Sequence, residues 1–117
     1  MLPRLEYDLT DLLCAFSELL PLTNEELGQY WLRYNRDDGC TITLDFSVYD
    51  NRVGVLIKRG EVALTLLSLT ACHSVRVTGK PTQYGVEIVG SRNNPEARCF
   101  LSLDGNLMLQ FDDTSRD

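Results

Sequence analysis

Histidine is nearly missing from this 117-residue chain, which has one, and proline occurs only four times. His73 is therefore the single side chain that titrates near neutral pH, which leaves little for acid–base catalysis. There is no run of about 18 apolar residues, so no membrane-spanning helix is expected. The phosphate-cradling pattern G-x-x-x-x-G-K-S/T and the nucleophile elbow G-x-S-x-G are both missing. Basic residues are outnumbered, 11 against 17 acids, and the net charge of −6 argues against a general nucleic-acid or anionic-membrane binder.

The four cysteines, Cys14, Cys40, Cys72 and Cys99, form no C-x-x-C pair. Cys72 adjoins His73, but neighbours on a strand point to opposite faces, so the two do not readily grip one ion. No metal, cofactor or catalytic residue is expected, and the chain reads as a non-enzyme. Its first residues, Met1-Leu2-Pro3-Arg4-Leu5-Glu6, show no basic region followed by an apolar stretch. The expectation is a cytoplasmic protein with reduced thiols packed as small hydrophobes; leaderless export with two disulfides is the alternative.

What is present is an ordinary globular composition, 44% hydrophobic and 24% charged. One domain over 1–117 is expected, mainly helical over 1–36, mainly β over 40–111, with a flexible tail at 112–117. Leu9, Leu12, Leu13, Phe16, Leu19 and Leu20 follow helical spacing, with Asp8 or Thr10 as cap and Pro21 as terminator. Thr23-Asn24-Glu25-Glu26 reads as a capping box opening a second helix. That helix either stops at Gly28, leaving Tyr30, Leu32 and Tyr34 to alternate as a strand, or continues to Tyr34; the helix is favoured.

After the turn signal Arg36-Asp37-Asp38-Gly39 the period changes to two. Ile42, Leu44, Phe46 and Val48 alternate with Thr41, Thr43, Asp45 and Ser47, a strand with one wet face. Strands follow over 53–57, 61–69, 72–78, 84–89, 98–103 and 107–111, with Asp104-Gly105 as a two-residue hairpin. Strand 61–69 is apolar on both faces, which predicts a covered position. The fold class is α+β: one or two N-terminal helices packed on an antiparallel β-meander of about six to seven strands.

Charge is uneven. Six of the acids and one base lie in residues 1–30, leaving that segment at −5 and the remainder at −1. A solvated surface and a face that meets a basic partner both account for this. Tyr30-Trp31-Leu32-Arg33-Tyr34 gathers aromatics and arginine, types common both in helix-on-sheet cores and at interface hot spots. The candidate partner-binding set is Glu18, Glu25, Glu26, Asp37 and Asp38, with Trp31 as an apolar anchor. Carboxylates in that role would stand where a nuclease expects phosphates.

The strand pattern from Cys40 to Phe111 resembles, diffusely, that of small bacterial immunity proteins, and assigns no residue a role. The function expected is a small acidic protein-binding module, an inhibitor or immunity protein that neutralises a basic partner such as a nuclease toxin. It would contact neither nucleic acid nor membrane directly. A secretion chaperone or adaptor binding an extended peptide and a small-ligand-binding domain are the alternatives. Monomer and homodimer stay equally open.

Overall fold

From Cys40 onward the alternation of apolar and polar residues becomes strand in the computed structural model, which describes residues 4–80, 83–90 and 94–112. The expected tail lies, apart from Asp112, outside the described residues. Among the described residues, ten strands form two five-stranded sheets with one α-helix. The first sheet has the order β1-β7-β8-β9-β10: β1 (Glu6–Tyr7), β7 (Ser74–Lys80), β8 (Gln83–Val89), β9 (Arg98–Ser102) and β10 (Leu109–Asp112). The second has the order β2-β3-β4-β5-β6: β2 (Glu18–Leu19), β3 (Gln29–Asn35), β4 (Cys40–Ser47), β5 (Arg52–Arg59) and β6 (Val62–Leu69). All neighbours are antiparallel except β1 with β7.

The α+β class stands, but two layers replace the single meander. Leu32, Ile42, Leu44, Phe46, Val53, Val55 and Ile57 of one sheet share a buried cluster with Val75, Val86, Ile88, Cys99 and Leu101 of the other. Two half-wet sheets bury their apolar faces on each other, which one open sheet with a short helix could not achieve. The chain changes sheet after β6, where Ala71 takes a positive φ of 56°. Asn51 fixes this crossing by donating to the Cys72 carbonyl at 2.8 Å, while its own carbonyl accepts from the Cys72 amide at 2.8 Å.

The N-terminal segment departs most from the sequence reading. Helix α1 spans only Leu9–Ala15, capped by the Asp8 carboxylate accepting from the Asp11 amide at 3.1 Å. Seven residues propagate too little helix to stand alone, and Glu18–Leu19 instead pair with Leu32 and Arg33 of β3. The second helix is a single 3-10 turn, Glu25–Leu27. Asn24, rather than Thr23, caps it, and Gly28 ends it at φ 65°. The Thr23 hydroxyl instead accepts from the Trp31 amide at 3.0 Å. Residues 29–35 are therefore strand, with Tyr30 and Leu32 buried: pairing along all seven residues with β4 outweighs local helix propensity.

Two smaller expectations also change. β6 is not covered but forms a sheet edge, with Val62, Leu64 and Leu66 exposed. The Asp104-Gly105 turn belongs to a wider loop, because Leu103 is drawn into the core and its amide bonds the Tyr84 carbonyl at 2.9 Å.

Candidate acidic and aromatic cleft

At one end of the sandwich three segments converge: β1, the turn at Gly28, and the connection after β4. Leu5 donates its amide to the Val48 carbonyl at 3.1 Å, and Val48 donates to the Gly28 carbonyl at 2.8 Å. Gly28 allows this close approach as well as its left-handed turn, since a Cβ there would lie 3.0 Å from the Tyr49 ring. Between the segments opens a cleft of about 670 Å³ lined by Arg4, Glu6, Tyr7, Glu25, Tyr30 and Tyr49, among others.

The aromatic wall is ordered by stacking. Tyr30 stacks on Phe46 with centroids 5.1 Å apart, and Tyr7 tilts against both at 5.4 and 5.3 Å. The Tyr7 and Tyr30 hydroxyls share a hydrogen bond of 3.3 Å. That bond first, then burial and nearby negative charge, pushes the Tyr30 hydroxyl up to about 12, so it stays protonated. The Arg4 guanidinium sits 5.8 Å above the Tyr49 ring, so the rim already accommodates one cation. Carboxylates from Glu6 and Glu25, hydroxyl oxygens and ring faces are the groups that receive a guanidinium or ammonium.

The six residues singled out from sequence are not brought together as one set. Glu25 lines the cleft and Glu26 is exposed on the same turn. Trp31 stands half-buried on the outward face of β3, its strand edge closed by Thr23. Glu18 grips Arg33 through two bonds of 2.7 and 3.1 Å, and the hydrogen bonds from Arg33 hold its carboxyl below the usual carboxylate range. Trp31 and Asn35, the last residue of β3, are about 13 Å apart at 3.3 Å per strand residue, and Asp37 and Asp38 lie in the turn beyond Asn35. Asp38 accepts from the Cys40 amide and pairs with Arg36; the amide bond, ahead of Arg36, lowers its pKa.

Sequence reading missed Glu6, Tyr7, Tyr30 and Tyr49 as neighbours of Glu25. The alternation Leu5-Glu6-Tyr7 was the available signal for a strand there. Nothing local announces that β1 joins β7 beside the Gly28 turn. His73 packs its ring against Gly90 and carries its backbone in the sheet, its amide donating to Val89 at 2.7 Å. Among the described residues no group of three or more His, Cys, Asp or Glu side chains is placed to hold a metal. No helix among them is long and apolar enough to cross a membrane.

No protein-family model matches the sequence, nor does any curated protein. Among solved structures, a chain of the contact-dependent growth inhibition toxin–immunity protein complex from Klebsiella pneumoniae 342 superposes with a TM-score of 0.78. The match covers 96% of this chain and 98% of that one, at 10% identity. The two share a fold. Because the sandwich matches from end to end, the cleft is built on a framework common to both chains, while its side chains are this protein's own.

Proposed function

We propose that this chain is an immunity protein that binds and neutralises a basic toxin, with a nuclease as the leading candidate. The observation that carries this reading is the acidic and aromatic cleft, with Glu6 and Glu25 in its lining and Glu26 on the adjoining surface. The shared fold with a component of a toxin–immunity complex supports it. In this reading Glu25 and Glu26 steer the partner, one of its basic side chains seats against Tyr7 and Tyr30, and Trp31 packs against it from the outward face of β3. Glu18 and Asp38 serve as internal ion-pair partners, and Asp37 remains a secondary contact at the far end. Neutralisation by occlusion asks no catalysis of the chain. The same reading puts it in the cytoplasm, where its four free thiols suit a reducing environment.

The test is capture from lysate of the source organism with wild-type bait and with bait carrying Glu25→Lys and Glu26→Lys. The wild type is expected to retain a basic protein that is toxic when expressed alone and harmless when co-expressed with this chain. The variant is expected to lose both retention and protection while melting at the same temperature. Equal protection by both baits would remove the cleft from the account, and a captured protein without toxicity would remove the immunity reading.

A further inference from the structure

The charges of the cleft are unevenly matched. Its lining carries two carboxylates, Glu6 and Glu25, against one guanidinium, Arg4, and so keeps one negative charge uncompensated. Among the described residues none of these three side chains belongs to an ion pair. Arg4 lies instead over the exposed ring of Tyr49, its guanidinium carbon 5.8 Å from the centroid. The backbone sets that position. The Leu5 amide donates to Val48 at 3.1 Å and the Glu6 amide to His73 at 2.9 Å, so Arg4 immediately precedes a pinned segment. The Tyr7 and Tyr30 hydroxyls share one hydrogen bond, which uses one of their two protons and leaves the other O–H for a third group.

We infer that this cleft is the seat of an arginine side chain from the partner, and that Arg4 is its resident occupant, which must leave the Tyr49 ring before the incoming guanidinium settles. The source of that guanidinium rests on the immunity reading above. Three features ask for arginine rather than lysine. A planar guanidinium stacks on an aromatic face, as Arg4 already does on Tyr49. It forms two parallel bonds to a single carboxylate, and the lining offers both Glu6 and Glu25 without an ion-pair partner. It is also less strongly hydrated than an ammonium, so it gives up less on moving against ring faces. With Arg4 still on Tyr49, two guanidiniums compete for one ring face and repel each other. Arg4 thus lowers the fraction of molecules whose seat is open, and with it the apparent affinity for the partner.

Aromatic NMR of the full chain, titrated with N-acetyl-arginine amide, tests the inference, because the guanidinium is the only charge on that probe. The ring signals of Tyr7, Tyr30 and Tyr49 are expected to shift saturably between about 0.1 and 50 mM probe, with N-acetyl-lysine amide binding at least about threefold more weakly. Arg4→Gln is expected to tighten binding of the arginine probe about two- to fivefold. Glu25→Gln is expected to weaken it about fivefold. Both positions are exposed, so both variants are expected to melt with the wild type. No saturable shift, equal binding of the two probes, an Arg4→Gln chain that binds no tighter, or a Glu25→Gln chain that binds no more weakly would each overturn the inference. The probe involves no toxin, so the two readings fail separately. A chain that takes the arginine probe but captures no toxic protein keeps the seat and loses the immunity reading; one that captures a toxin but ignores the probe loses the seat alone.

Discussion

Asp45 shows how far a single residue's environment can depart from its place in a pattern. By alternation it is one more polar residue on the wet face of β4. In the sheet it stands between Trp31 on β3 and Gly54 on β5, with its carboxylate resting on Gly54 where any Cβ would collide with it. Burial pushes its pKa above the ordinary 3.8, against the pull of Arg52. A raised pKa means that the folded chain binds the proton more tightly than the unfolded one. The contribution to stability is thus present at low pH and is lost as pH rises through the window above 3.8. Asp45→Asn is accordingly expected to raise the melting temperature modestly at pH 7, with the gain shrinking towards pH 3 in calorimetry. Glu18 and Asp38 titrate in the opposite sense, their charged forms being held by Arg33 and by the Cys40 amide. Both were read from sequence as outward-facing acids; the partner that takes up each charge is decided by strand pairing or turn geometry.

At the scale of elements, the turn between β3 and β4 is a clasp rather than a simple reversal. Arg36 is buried there, and its guanidinium donates to Asp38 at 3.2 Å, to the Leu103 carbonyl at 3.0 Å and to the Gly105 carbonyl beyond β9. One side chain thereby ties the end of one sheet to the loop of the other. Removing it leaves the buried Leu103 carbonyl without its donor and takes one partner each from the Gly105 carbonyl and the Asp38 carboxylate, so Arg36→Ala is expected to cost about 1–3 kcal/mol in denaturant unfolding. The strands from β4 onward were legible because period-two alternation and turn residues agree with burial there. β3 was not, since Tyr30, Trp31, Leu32 and Tyr34 offer apolar residues to either period. Pairing with β4 made the choice. β6 was misplaced for a related reason: apolar residues on both faces describe a covered strand and an exposed edge equally well.

For the molecule as a whole, the acid surplus near the start of the chain survives folding as surface charge, because Glu6, Asp8, Asp11, Glu25 and Glu26 are all exposed. A partner drawn by this charge is expected to associate several-fold more slowly as ionic strength rises from about 0.05 to 0.5 M. The Glu25→Lys/Glu26→Lys chain is expected to show a flatter dependence, measured by stopped-flow mixing with the captured protein. The sequence by itself determined the α+β class, the strands after Cys40, the Arg36–Gly39 turn and where the acid surplus lies, all properties of short windows with one dominant period or charge. The tertiary structure alone decided that the strands divide into two sheets, that β1 lies beside β7, that Glu25 faces Tyr7 and Tyr30, and that β6 is left open. Each of these depends on contacts between segments distant along the chain, and the burial of one apolar face against another selects them.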